Sequence, residues 1–156
     1  SPDGRELYMY YLGTDQLHGW GRNEKNNRLL TEAGLAPTGN PDVISRLVLR
    51  RDGFISARAA YSGGEFTTPP MKFGGHELFL NVDTSAAGQM RCELLGEKGE
   101  AIEGYRLNDC DLIHTTNEID RLVKWRGRSD VSALAGKLVR LRVVFRDTDL
   151  YAFQFR

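Results

Sequence analysis

The chain has 156 residues, of which 40% are hydrophobic and 27% charged, and its 21 basic residues balance its 21 acidic ones. This composition is typical of a globular protein with its own core, and it excludes a disordered, collagen-like or disulfide-scaffold protein. A nucleic-acid-binding domain is expected to be basic, so the zero net charge argues against a nucleic-acid partner. We expect a soluble chain with no membrane partner, because the apolar runs are much shorter than a span of about 20 residues and no leader peptide opens the chain.

The first 42 residues differ in pattern from the rest. Residues 6–12 are rich in aromatic side chains and lie between turn residues, which predicts a strand. The following stretch, up to Pro41, is polar and rich in Gly, Asn and Pro, which predicts a long loop with one helical turn near residues 29–33. We therefore predict two parts: an N-terminal strand and long loop over residues 1–42, and a β-sandwich over residues 43–156.

Strand signals recur at short intervals after Pro41. The pair Asp52-Gly53 favours a tight turn, and it predicts a hairpin between residues 43–49 and 54–61. Further strands are predicted over residues 66–69, 77–83, 88–95, 102–105, 118–125, 138–146 and 150–155. Many short strands with almost no helix predict an all-β fold, namely an antiparallel two-layer β-sandwich.

The two cysteines, Cys92 and Cys110, are too few for a cysteine-only zinc site. Cys92 alternates with Met90 and Leu94, which predicts a buried free thiol in a strand. The alternative is a disulfide with Cys110 in a secreted protein. The sequence leaves both open.

Local catalytic motifs are missing. The sequence has no Gly-x-Ser-x-Gly, no His-Glu-x-x-His, no phosphate-binding loop ending in Gly-Lys-Ser/Thr and no Gly-x-Gly-x-x-Gly. The three histidines, His18, His76 and His114, share no metal-binding spacing. Two carboxylates suffice for glycoside hydrolysis, so an independent hydrolase stays open as a third-ranked interpretation. We predict that the chain is not an enzyme and requires no cofactor.

Charge is distributed unevenly along the chain. Residues 93–120 contain eight acids and two bases, whereas residues 121–146 contain eight bases and one acid. One interpretation is that adjacent strands carry complementary charges that pair on a solvated face. The alternative is ligand binding, because the excess of arginine (16) over lysine (5) favours bidentate contacts with carboxylate or sulfate groups. That alternative predicts an anionic sugar.

Three aromatic side chains are candidates for stacking on a sugar ring, because an exposed aromatic face is flat and apolar. They are Trp125, Trp20 and Tyr105. Trp125 shares its alternation with Ile119 and Val123, so the alternative for it is a place in the core.

Three aspartates, Asp109, Asp111 and Asp120, concentrate oxygen ligands in one region, as a calcium site requires. They lack the spacing of an EF-hand. Solvated loop acids or turn caps are therefore the alternative interpretation of these residues.

Four stretches carry a resemblance to a known family: residues 99–105, 109–111, 119–127 and 130–153. Together they resemble the β-sandwich at the C-terminal end of bacterial five-bladed-propeller proteins related to glycoside hydrolase families 32 and 43. Residues 130–137 are also similar to a segment of galactose-binding-like jelly rolls, and residues 6–14 resemble a late propeller strand. The resemblance implies a jelly roll attached to a catalytic domain outside this chain, in a secreted or periplasmic protein.

We therefore expect a non-catalytic carbohydrate-binding accessory module of a polysaccharide-degrading enzyme. Its partner is a polysaccharide or oligosaccharide, and an anionic one, sulfated or uronic, is favoured. Besides the three aromatic residues, the candidate ligand-binding side chains lie on the outward face of neighbouring strands: Arg91, Arg140, Arg142, Asn81 and Glu93. The alternative is a purely structural domain that packs against a propeller.

Overall fold

The computed structural model describes residues 1–13, 24–34 and 43–156. They form two compact units, Ser1–Leu49 and Arg50–Arg156. The first unit holds strand β1 (Glu6–Gly13), helix α1 (Glu24–Glu32) and nearly all of strand β2 (Val43–Arg50), and β1 pairs with β2 in a two-stranded sheet. The boundary between the units thus falls at the end of β2, whereas the sequence pattern changes before it.

The second unit is built on two long strands. Strands β5 (Leu78–Gly96) and β8 (Val139–Phe155) pair antiparallel along most of their length. Four shorter strands extend the sheet: β3 and β4 pair with β8, and β6 and β7 pair with β5. Their bounds are Ala57–Ala59, Gly64–Thr67, Ile113–His114 and Asn117–Leu122, and a 3₁₀ turn covers Ser132–Leu134.

The six-stranded sheet folds back on itself where the pairing of β5 and β8 shifts, between Thr84 and Gln89. Opposite this shift, Asp147 takes a left-handed φ of 44°. Both halves of each long strand send alternate side chains into one hydrophobic cluster, so the sheet forms two layers around a single core. The predicted all-β, two-layer antiparallel architecture is confirmed. The jelly-roll connectivity stays a prediction.

The core consists of the apolar side chains that alternation predicts. Leu78, Leu80 and Val82 of β5 and Leu141 and Val143 of β8 have no exposed surface. Full burial of each such side chain stabilises the fold by roughly 1.5–3 kcal/mol. None of the helices in the described ranges is long and apolar enough to span a membrane.

The predicted hairpin around Asp52-Gly53 is wrong. The turn itself forms, since the Gly53 N–H donates to the Arg50 carbonyl at 3.0 Å and Asp52 has a φ of 57°. However, β2 pairs with β1, and β3 pairs with β8. A turn signal fixes the local reversal but not the partners of the strands that leave it.

Other boundaries differ from prediction as well. The strands predicted over residues 77–83 and 88–95 form one strand, as do those over residues 138–146 and 150–155, because irregular pairing bends each strand without ending it. The segment 102–105 is not a strand, and α1 is longer than the single helical turn predicted there.

Candidate functional site

A tight turn at Arg126-Gly127 organises one end of the second unit. The Trp125 N–H donates to the Arg128 carbonyl at 2.7 Å, and the Arg128 N–H donates back at 3.1 Å. Both turn residues have left-handed φ values, 51° for Arg126 and 76° for Gly127. Such a two-residue turn needs positive φ at both positions, which glycine supplies without strain and arginine does not.

The loop at residues 109–111 holds that turn in place. The Arg126 guanidinium lies 2.5 Å from a carboxylate oxygen of Asp109, which is 7% exposed. The Asp111 carboxylate accepts a hydrogen bond from the Gly127 N–H at 3.0 Å. Asp109 and Asp111, two of the three predicted calcium ligands, therefore hold the turn. This agrees with the alternative interpretation of these acids as turn caps.

The third predicted calcium ligand, Asp120, lies 3.1 Å from guanidinium nitrogens of both Arg51 and Arg156. Within the described part of the chain, no group of three or more His, Cys, Asp or Glu side chains is arranged to hold a metal ion. Asp109, Asp111 and Asp120 are thus not gathered as a calcium site.

A polar cleft of about 590 Å³ opens beside the turn. Its walls come from the 103–105 segment on one side and from the residues that follow the turn on the other. The lining residues are Glu103, Gly104, Tyr105, Trp125, Gly127, Arg128, Ser129 and Asp130. The volume lies within the range of about 300–1,000 Å³ that is usual for small-molecule sites.

Tyr105 is the half-buried aromatic wall of this cleft. Its hydroxyl donates to the Asp130 carbonyl at 2.9 Å, and its ring packs edge-to-face on Trp125 with the centroids 5.4 Å apart. These contacts fix the ring orientation. Because the hydroxyl is held from one side, the ring presents a defined surface to the cleft.

Charged groups of both signs face the same space. The exposed side chains of Glu103 and Arg128 make no hydrogen bond or ion pair to any described residue, so both are available to a ligand. Gly104 lies beside the arginine and has a left-handed φ of 85°, which glycine adopts without strain. Hydrogen bonding from the Ser132 N–H lowers the pKa of Asp130, so the negative form of this carboxylate is further favoured.

The predicted stacking residues differ in their positions. Trp125 is 1% exposed, and its indole N–H donates to the Cys92 carbonyl at 3.0 Å, so the core alternative is the one that the structure shows. A buried indole has no face to offer to a sugar, and Trp125 is dropped as a stacking platform. Trp20 lies outside the described residues. Tyr105 therefore remains as the candidate.

Two predicted arginines of β8 are held by neighbouring groups of the protein. Arg142 lies 3.1 Å from Glu93 on the neighbouring strand and 2.7 Å from Glu65 on β4. Arg140 donates to the backbone carbonyls of Glu97, at 2.9 Å, and Thr68, at 3.3 Å. This arrangement is the complementary cross-strand pairing that the sequence allowed as one interpretation.

Two other candidates are too buried to meet a ligand. Asn81 is 3% exposed and donates to the Arg51 carbonyl at 2.6 Å, and Glu93 is 7% exposed. Arg91 donates to the Cys110 carbonyl and lines a separate groove. The structure therefore does not bring the five predicted polar residues to the cleft at Tyr105.

Sequence reasoning missed Glu103, Arg128 and Asp130 as cleft residues. The signal available was a glycine beside each half of the cleft, Gly104 and Gly127, both of which adopt positive φ. Those glycines indicate tight turns. The two turns meet only in the tertiary structure, and a local sequence pattern does not predict that contact.

The two cysteines are free, buried neighbours. The Cys92 N–H donates to the Cys110 Sγ at 3.2 Å. Burial raises the pKa of Cys110 to about 11 and that of Cys92 well above its ordinary value. The predicted buried free thiol at Cys92 is confirmed.

No protein-family model, curated protein or solved structure matches this chain. The resemblance to propeller-associated sandwiches therefore stays a prediction, as do the attached catalytic domain and the secreted or periplasmic location.

Proposed function

We propose that this chain is a non-catalytic carbohydrate-binding module and that its binding site is the cleft beside Tyr105. The observation that carries the proposal is the pair of uncommitted charged side chains, Glu103 and Arg128, that flank a fixed aromatic ring. A sugar presents hydroxyl groups that both donate and accept, around an apolar ring face. A carboxylate, a guanidinium and an aromatic wall match these groups.

The charge of the cleft favours a hydroxyl-rich sugar there. Glu103 and Asp130 contribute two negative charges, and Arg128 contributes one positive charge. A ligand that carries its own negative charge would be repelled by this balance. We therefore assign a neutral sugar unit to the cleft.

The proposed role is to hold an attached polysaccharide-degrading domain near its substrate, in a secreted or periplasmic protein. Such a role requires a polysaccharide partner and no cofactor. A modest affinity is sufficient, because tethering raises the effective concentration of the catalytic domain at the polysaccharide.

A second candidate is a purely structural domain, and the ribbon β1–β2 favours it. Large apolar side chains on this ribbon are exposed, for example Tyr10 (67%), Leu12 (61%) and Ile44 (79%). An isolated two-stranded ribbon is marginally stable, and exposed apolar patches mark interaction surfaces. The two roles are compatible, since one unit can dock while the other binds sugar.

The test is a screen of the chain against neutral oligosaccharides by affinity electrophoresis and calorimetry. We expect Arg128→Ala and Glu103→Gln each to weaken binding about tenfold, because each removes a hydrogen bond to a charged group. Lys98→Ala and Glu97→Gln are matched controls, since both residues are exposed and outside the cleft. All four variants should unfold at the same denaturant concentration as the parent.

Failure to bind any neutral oligosaccharide would remove the cleft proposal and favour the structural candidate. That candidate has its own readout. The chain should bind an apolar dye through the ribbon, and Ile44→Ser with Tyr10→Ser should lower the dye signal without shifting unfolding of the second unit.

A further inference from the structure

A second groove, of about 400 Å³, lies on the outward face where β4, β5 and β8 run side by side. The strand register determines which side chains form the floor of this groove. Gln89 and Arg91 of β5 are two residues apart, so they share a face, and their partners on β8 are Arg146 and Val144. The turn before β4 forms one wall, and Leu112 lies at the other side.

The two arginines that line this groove have no carboxylate partner among the described residues. Neither Arg91 nor Arg146 forms an ion pair with any described acid, whereas Arg142 binds two glutamates. The Arg146 Nε is buried and finds no hydrogen-bond acceptor among the described residues. The terminal N–H groups of Arg146 also form no hydrogen bond to a described residue, so they are available to an incoming anion.

The remaining groups point to the same ligand charge. Glu65 is the one acid that lines the groove, against the two arginines, and Arg142 binds its carboxylate at 2.7 Å. Arg91 is held by its hydrogen bond to the Cys110 carbonyl, so its guanidinium is fixed before any ligand arrives. The groove is therefore a preorganised positive surface, in contrast to the net negative cleft at Tyr105.

An exposed aromatic ring stands next to these cations. The Arg146 guanidinium lies over the Tyr61 ring, 5.4 Å from its centroid, and Tyr61 is 65% exposed. A planar cation beside an accessible aromatic face offers an anionic site and an apolar platform together. A sugar that carries a carboxylate or sulfate has both complementary features, whereas a simple anion has one.

We infer that this groove binds the anionic group of an acidic carbohydrate between Arg91 and Arg146, with Gln89 bonding to a hydroxyl group and Tyr61 contacting the ring. The site shares no lining residue with the cleft at Tyr105. It therefore stands or falls independently of the neutral-sugar proposal.

The experiment measures binding of three probes to the whole chain by calorimetry: trigalacturonic acid, its methyl ester and a sulfated galactan oligosaccharide. The probes are compared in the parent and in the Arg128→Ala variant, where the neutral-sugar cleft is weakened. We expect the acid or the sulfated probe to bind and the ester to bind at least about tenfold more weakly in that variant, because the ester has lost the charge. Affinity should fall as salt rises toward about 1 M, where the screening length is about 3 Å. Comparing trigalacturonic acid with the sulfated galactan shows whether the groove binds a carboxylate or a sulfate group.

Variants then locate the site. Arg146→Met should weaken binding of the anionic probe about tenfold, and Arg146→Lys should restore only part of it, since lysine keeps the charge but not the planar donor pair. Gln89→Ala is a milder change that leaves the arginines in place. Arg106→Met is the matched control and should leave anionic binding unchanged, because Arg106 is exposed and lines neither the groove nor the cleft.

Three results would overturn the inference. One is equal affinity for the acid and its methyl ester. Another is equally tight binding of a glutamate peptide of the same charge, which would make the groove a general anion-binding surface. The third is retention of binding in both Arg146→Met and Gln89→Ala. If Arg146→Met fails to fold, Gln89→Ala and the probe comparison on the parent chain still decide.

Discussion

The indole Nε1 of Trp125 donates a hydrogen bond to the backbone carbonyl of Cys92 at 3.0 Å. This bond joins the residue before the Arg126-Gly127 turn to the inner face of β5. Both groups are buried, so each would lack a partner without the other. The contact explains why a large aromatic residue next to a surface turn belongs to the core and not to a binding surface.

Replacing this indole should destabilise the protein. We expect Trp125→Phe to lower the free energy of unfolding by about 1–3 kcal/mol, because the Cys92 carbonyl loses its donor inside the core. Trp125→Ala should cost about 3–5 kcal/mol by adding a cavity. Chemical denaturation provides the measurement. Tyr105→Phe is the control, and it should cost about 0.5–1.5 kcal/mol because it removes one partly exposed hydrogen bond. Equal costs for Trp125→Phe and Tyr105→Phe would contradict a structural role for the Trp125–Cys92 hydrogen bond.

Period-two alternation predicted the layers of this fold, since it identified the buried faces of Leu78–Gly96 and Val139–Phe155. The same pattern did not predict that each is one long bent strand. Bends inside a strand arise from pairing shifts, and pairing is a property of two strands together. The pairing of β1 with β2 escaped prediction for the same reason, because the strong turn signal at Asp52-Gly53 indicated a nearer partner.

The ion pairs that Arg142 forms with Glu93 and Glu65 should stabilise the fold mainly through Glu93, which is buried. Glu93 is 7% exposed and Glu65 is exposed, and both bind Arg142. We expect Arg142→Met to cost about 1–3 kcal/mol, because Glu93 is then left buried without a cation. Glu65→Gln should cost less than about 1 kcal/mol, as is usual for an exposed pair.

A double-mutant cycle separates pairing from packing in this network. If the cost of Arg142→Met comes from the uncompensated charge, adding Glu93→Met should restore most of the lost stability. The measurement is denaturant unfolding of the four proteins. Additive costs in the double variant would show that the two side chains act separately.

The fold of the sheet into two layers should depend on Gly88. A Cβ at this position would overlap the Asp147 backbone carbonyl on the paired strand, and backbone cannot move aside as a side chain does. We expect Gly88→Ala to destabilise the protein by about 1–3 kcal/mol, the usual cost of overpacking. Gly96→Ala is the matched control, because its Cβ would meet the flexible Glu100 carboxylate, and a larger loss there than at Gly88 would contradict this explanation.

The candidate sites were less accessible to sequence reasoning than the fold. Tyr105 was identified as a candidate because an aromatic residue beside glycine is noticeable, but its neighbours in the cleft come from a second turn more than twenty residues along the chain. Arg91 and Arg142 look alike in sequence. The register places Arg142 opposite Glu93 and Arg91 opposite Val144, and Arg142 also reaches Glu65 on β4.

The buried thiol of Cys110 should make stability depend on pH in the alkaline range. Burial raises its pKa from 9.0 to about 11, so between these values the unfolded chain loses a proton that the folded chain keeps. The free energy of unfolding should therefore be independent of this group below pH 9 and fall between pH 9 and about 11, by about 2–3 kcal/mol at most. Urea unfolding at pH 8, 9 and 10 measures the slope. Cys110→Ala should reduce the slope but not abolish it, because burial also raises the pKa of Cys92, whereas Lys137→Ala, at an exposed site, should leave it unchanged. An unchanged slope in Cys110→Ala would show that the thiol does not contribute.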